Sequence, residues 1–166
     1  MSKHSNIQSK IYSLPELQKA VSIWRFKSDK IVFTNGCFDL IHLGHIDYLS
    51  KASDLGNRLI IGLNTDSSVS KLKGEHRPIK DEHSRATILA SFSFIDAVVL
   101  FNEDTPLTLI EEIKPDILVK GGDYKSEEIV GHDSVKENKG EVVILDFIEG
   151  YSSSKIEEKI KSDTKS

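Results

Sequence analysis

The chain has 166 residues, 38% of them apolar and 29% charged, and carries a net charge of −4 from 22 basic and 26 acidic groups. Its length predicts one domain of ordinary globular composition. No apolar run approaches the ~20 residues that cross a bilayer, one cysteine, Cys37, rules out an internal disulfide, and the acidic balance argues against a nucleic-acid track and, taken alone, against any polyanionic ligand. The opening MSKHSNIQSKIYSLPE has neither the apolar core nor the cleavage site of a secretory signal, which gives a cytoplasmic reading with no membrane partner.

Residues 1–13 are polar and aperiodic and read as a loose arm. Leu14, Leu17, Val21 and Trp24 then recur at helical steps. Ile31–Phe33 is a short β-branched run ending at Asn35-Gly36, a buried strand. His45 to Leu55 is helical, with Gly56 at its stop. Leu59–Leu63 is a second strand, Asp81 to Phe94 a helix, and Val98–Leu100 a third strand. Thr105 before Pro106 reads as a cap and first-turn proline opening a helix to about Ile113. Ile117–Val119 and Val142–Leu145 are the fourth and fifth strands, residues 125–140 a charged loop with one short helix, and Ser152 caps a last helix through about Ile160. Apolar strands alternating with helices predict an α/β chain: a Rossmann-like, doubly wound sheet of about five parallel strands with helices on both faces. The implied division is an arm and helix over 1–29, the main domain over 30–161 and a flexible tail over 162–166.

In such sheets ligands bind beyond the carboxyl ends of the strands. The loop after the first strand reads Asn35-Gly36-Cys37-Phe38-Asp39-Leu40-Ile41-His42-Leu43-Gly44-His45. Two histidines straddling a glycine at a helix start place imidazole donors beside free backbone N–H groups, a geometry suited to phosphoryl oxygens. Zinc is a competing reading, but it needs three or four ligands and has no cysteine partners here. Helix capping alone accounts for one histidine and one glycine.

Residues 71–85 hold Lys71, Lys73, Arg77, Lys80 and Arg85 against Glu75, Asp81 and Glu82. This basic lobe on an acidic chain reverses what the total charge implies, since a triphosphate could meet it at a strand end. Lys80 reads as solvated, and Asp66 either caps a helix or accepts from a substrate hydroxyl. Lys120-Gly121-Gly122-Asp123-Tyr124 permits close backbone approach to a planar base or is a plain tight turn. Glu149-Gly150-Tyr151-Ser152-Ser153-Ser154 offers hydroxyls and free amides at a helix start. Cys37 has no adjacent base to activate it and reads as a buried filler.

Taken together these four motifs resemble the cytidylyltransferase-like family of the H-x-G-H nucleotidyltransferase superfamily, over about Lys30 to Ile160. Within it, the likeness is to members that transfer AMP from ATP to D-glycero-β-D-manno-heptose 1-phosphate, giving ADP-heptose for lipopolysaccharide and pyrophosphate. The resemblance implies that His42 and His45 hold the α- and β-phosphates and that Asp39 supports the phosphate and metal region. It implies that Lys73 and Arg85 neutralise phosphate charge, with Lys71 and Arg77 in the same lobe, and that Gly121 to Tyr124 border base and ribose. Ser152 to Ser154, after Gly150, would receive phosphates, while Asn35, Gly36, Phe38, Gly44, Asp66 and Lys120 complete the binding set. It further implies Mg²⁺ carried with ATP rather than bound by a motif of its own, a homodimer, and a sugar kinase as a separate protein. Members that use CTP and glycerol 3-phosphate carry Arg-Thr before Glu-Gly, where this chain has Phe147 and Ile148; that departure disfavours CTP. A nucleotide-binding sensor without turnover is the alternative of another class, and the histidine pair speaks against it.

Overall fold

The computed structural model describes residues 2–122 and 124–163. Its elements in chain order are α1 (Lys3–Gln8), β1 (Ile11–Tyr12), α2 (Leu14–Phe26), β2 (Ile31–Gly36), α3 (Leu43–Ser53), β3 (Arg58–Asn64), α4 (Asp66–Lys73), α5 (Glu82–Ser91), β4 (Ala97–Phe101), α6 (Leu107–Ile113) and β5 (Ile117–Gly121). A 3-10 turn (Ser126–Glu128), α7 (His132–Glu137), β6 (Glu141–Leu145) and α8 (Ser153–Asp163) follow. The strands form one sheet in the order β1-β4-β3-β2-β5-β6, with every pair parallel.

Period-2 alternation divides the core between the two faces. Val32, Leu59, Ile61, Leu63 and Val98 point toward Tyr48, Leu49 and Ala52 of α3 and Ala86, Leu89 and Ala90 of α5. Their neighbours Ile31, Phe33, Ile60 and Val99 meet Leu17 and Val21 of α2 and Leu109, Ile110 and Ile113 of α6. Because the chain winds from β2 outward through β3 to β4 and then returns to β5 on the other side, the order reverses between β2 and β5. A crevice opens at such a reversal, outside the strands' carboxyl ends.

The sheet has six strands rather than about five. The extra one lies in the segment expected to be a loose arm: Ile11 and Tyr12 pair with Val98 and Val99, and Lys10 accepts the Val98 N–H through its carbonyl. The polar run of 1–13 hides this strand because only two residues enter the sheet. Trp24 packs on the domain, edge-on to Tyr12 at 6.4 Å and beneath the Arg58 guanidinium at 5.3 Å. Thr105 does not cap α6; Pro106 occupies that position with no side-chain bond. The helix expected to reach Phe94 ends at Ser91, where Phe92 turns extended. At the other end α8 runs to Asp163, past the expected start of the tail; 164–166 lie outside the described residues. No helix among the described residues is long and apolar enough to cross a membrane.

Candidate active site

The loops after β2 and β5 meet at the reversal point. Lys120 Nζ donates to Asn35 Oδ1 at 2.6 Å, joining them across the crevice. Burial lowers the Lys120 pKa, and the Asn35 carbonyl answers one of its donors. A cleft of about 200 Å³ opens here, lined in part by Asn35, Gly36, Phe38, His45, Lys73 and Lys120. Cavities of about 220 Å³ each adjoin it on either side: one shares Lys120 and Tyr124 and adds Asp104, Thr105 and Glu128; the other shares Lys73 and Ser153 and adds Arg77, Ser154 and Glu157.

His42 sits at the cap position of α3 and His45 in its first turn, so the two rings stack with centroids 3.9 Å apart. Gly44 makes room for this, since a Cβ there would lie 3.1 Å from the His42 ring. Phe38, held at φ 44°, packs edge-on to His45 at 5.4 Å. The His42 Nδ1 is buried without a hydrogen-bond partner, while His45 faces the Leu40 backbone. Burial pushes His45 down to about 4, helped by the charges of His42 and Lys73, and burial lowers His42 as well. The pair is therefore neutral near pH 7, each ring holding one N–H to donate.

Several expected ligands have other duties. Arg85 is fully buried, its Nε donating to the Lys80 carbonyl at 3.0 Å, Nη1 to those of Cys37 (2.7 Å) and Asn64 (2.8 Å), and Nη2 to Asp66 Oδ1 at 2.7 Å. It braces three loops rather than facing a phosphate. Asp66 pairs with it through Oδ1, and Thr65 rather than Asp66 caps α4.

Asp39, 2% exposed, accepts the N–H groups of Ile79 (2.8 Å) and Lys80 (2.9 Å) and lies 2.9 Å from Arg77 Nε. Burial would raise its pKa, but those N–H groups and the Arg77 charge overrule burial and hold the carboxyl low. Both oxygens are engaged, so Asp39 shapes the 77–80 loop instead of offering itself to a metal. Among the described residues no group of three or more His, Cys, Asp or Glu is placed to hold a metal ion; the residues do not fit a protein-held magnesium site.

Lys71 is exposed and absent from the cleft, since two residues along a helix is about 200° of rotation from Lys73. Ser152 caps α8 by accepting the Lys155 N–H at 3.2 Å, and Gly150 (φ 92°) turns the chain ahead of it without touching the cleft. Ser153 and Ser154 do reach the cavity beside Lys73. Asp123 lies outside the described residues. Cys37 lines the cleft rather than filling the core, and burial raises its thiol pKa.

Other groups at the site carry little mark in the sequence. Tyr48 bonds Thr34 Oγ1 at 2.7 Å and donates to the Val119 carbonyl at 3.2 Å, and its pKa is pushed up to about 12 by burial. Its position three residues after His45, on the same helix face, is the available signal. Phe147 packs 5.6 Å from the Tyr48 ring and against Gly121, where any Cβ would come within 2.3 Å of its Cζ. Glu157 pairs with Arg77, and nothing in its sequence context marks it.

A parallel doubly wound sheet with a histidine pair opening a helix at the reversal point, beside lysine, arginine and serine donors, defines a nucleotidyltransferase. The family described as cytidylyltransferase-like matches residues 33–159, and the chain belongs to it. Among curated proteins it is 56% identical over 156 residues to the bifunctional protein HldE of Campylobacter jejuni subsp. doylei, covering 94% of this chain and 32% of that protein. It is 54% identical to that of Helicobacter hepaticus, covering 93% and 31%. The chain thus spans about a third of the length of these relatives. Of solved structures, the lipopolysaccharide core biosynthesis protein from Thermoplasma volcanium GSS1 superposes with TM-score 0.60 at 28% identity, over 75% of this chain and 99% of that one. A pantoate-beta-alanine ligase from Francisella tularensis, TM-score 0.60 at 15% identity over 91% of this chain and 76% of that one, shares the fold.

Proposed function

We propose that the chain transfers AMP from ATP to the phosphate of a sugar 1-phosphate, with D-glycero-β-D-manno-heptose 1-phosphate as acceptor, giving ADP-heptose and pyrophosphate. The observation that carries this reading is the stacked, neutral histidine pair opening a helix at the sheet's reversal point. The name of the lipopolysaccharide core biosynthesis protein supports the pathway.

In this reading an oxygen of the acceptor phosphate attacks the α-phosphorus of ATP while the bond to the β-phosphate oxygen breaks, and pyrophosphate leaves. The nucleophile is already an anion, so no general base is needed; the work is positioning and charge stabilisation. His42 and His45 donate to the phosphoryl oxygens on which charge grows. Negative charge so close raises both imidazole pKa values and favours the protonated ring, both of whose nitrogens donate, as the donor nucleotide enters. Lys73 and Arg77 neutralise the phosphate tail, and Ser153 and Ser154 bring the α8 start to it.

Mg²⁺ arrives with the triphosphate, whose charge it offsets. Phe147 against Gly121 and Tyr48 gives the base a flat apolar wall where CTP-using members have arginine and threonine, which supports ATP as donor. On the other side Asp104, Thr105 and Glu128 offer acceptors for sugar hydroxyls. A sugar kinase supplies the acceptor, and a homodimer is the working assembly. Phosphorus-31 NMR of the purified chain with ATP and the heptose 1-phosphate tests the reading. It predicts growth of a sugar diphosphate pair and of pyrophosphate together; ADP in place of pyrophosphate would refute it.

A further inference from the structure

The cavity beside Lys73 contains a group that does not match its company. Lys73, Arg77, Ser153 and Ser154, with the opening turn of the eleven-residue α8, make a setting for the phosphate tail of a nucleotide. Yet Glu157 lines the same space, and its carboxylate is ion-paired with Arg77 Nη1. Arg77 is 11% exposed at the side chain and tied on its other edge to Asp39 at 2.9 Å, so the guanidinium is fixed and its outer edge is the part that can exchange partners. A carboxylate offers a guanidinium the same pair of oxygens that a phosphate does. None of the described α8 side chains is buried, so apolar burial does little to hold this helix. Two polar ties fasten it at the site: Glu157 to Arg77, and Ser153 Oγ to the Leu40 carbonyl at 3.4 Å, in the loop leading to His42.

We propose that Glu157 is a resident competitor for the phosphate tail: it holds Arg77 until a pyrophosphate group displaces it, and retakes Arg77 as pyrophosphate leaves. The proposal rests on the nucleotidyl-transfer reading for the identity of the ligand, and it makes α8 the element through which product release is tuned. Loss of the carboxylate then tightens pyrophosphate binding and deepens product inhibition.

Titration calorimetry with magnesium and inorganic pyrophosphate, on the full chain and on Glu157→Gln, Glu157→Asp and Glu158→Gln variants, tests this. Glu157→Gln is expected to lower the pyrophosphate Kd about three- to fivefold, the scale of one partly screened ion pair. Glu157→Asp keeps the charge but shortens the reach and is expected to shift Kd the same way. Glu158→Gln removes the same charge one residue along and is expected to leave Kd within about twofold. Amide exchange in the first turn of α8 should quicken in Glu157→Gln and slow again with pyrophosphate. Unchanged or weaker binding in both Glu157 variants, or equal tightening in Glu158→Gln, overturns the proposal. The probe is magnesium pyrophosphate without nucleotide or acceptor, so failure to turn over ATP would refute the transfer reading without altering this result.

Discussion

In an Arg85→Ala variant the carbonyls of Lys80, Cys37 and Asn64 lose their donor and Asp66 its counter-ion, all in one step. Asp66 is 42% exposed at the side chain and recovers most of its loss from water, whereas the Asn64 carbonyl is fully buried and the other two partly so. At about 1–3 kcal/mol for each buried acceptor left unsatisfied, the three carbonyls set a cost of about 4–6 kcal/mol. That is a large share of the ~5–15 kcal/mol that holds a domain together. For a chain of this size it corresponds to a fall in melting temperature of roughly 10–20 °C. Differential scanning calorimetry of the wild type, Arg85→Ala and Arg85→Lys reads it directly; the lysine variant should recover part of the loss. If Arg85→Ala melts within about 2 °C of the wild type while its KM for ATP climbs, the guanidinium is a phosphate ligand and not a brace.

Further predictions concern the cleft. His45→Ala should lower kcat by at least ~100-fold with little change in ATP affinity, because the lost donor acts on charge that develops in the transition state; near-normal kcat in steady-state kinetics would remove that role from His45. His45 and His42 are held below their unfolded pKa, so the folded chain binds fewer protons than the unfolded one between about pH 6.5 and 4. Their contribution to stability is therefore complete above pH 6.5 and lost as the pH falls toward 4, and urea midpoints at pH 7 and 5 should separate less in His45→Gln than in the wild type. Gly121→Ala drives a methyl into Phe147, displaces the apolar wall beside Tyr48 and should raise the KM for ATP; an unchanged KM would show that this wall does not border the base.

Much of the fold is legible in the sequence because β2 through β6 carry short apolar runs rich in β-branched residues, set between segments of helical period. β1 escapes because Ile11 and Tyr12 enter the sheet from polar surroundings, where two residues cannot establish a period. At the site, the His-Leu-Gly-His string reveals where the histidine pair opens α3. Charge, however, carries no direction. Lys73, Arg77 and Arg85 look alike in sequence, yet one lines the cleft, one is shared between two carboxylates, and one is turned wholly inward by the loops that surround it. The duty of Asp39 is hidden for the same reason: its partners are backbone N–H groups forty residues away, which no local pattern reveals.

The central claim, attack on the α-phosphorus of ATP by a sugar phosphate, is tested most directly by following ATP labelled at either the α- or the γ-phosphorus with the heptose 1-phosphate as acceptor. Attack at the α-phosphorus places the α label in the sugar nucleotide and the γ label in pyrophosphate. A γ label on the sugar, or sugar nucleotide formed from CTP and not from ATP, would contradict it.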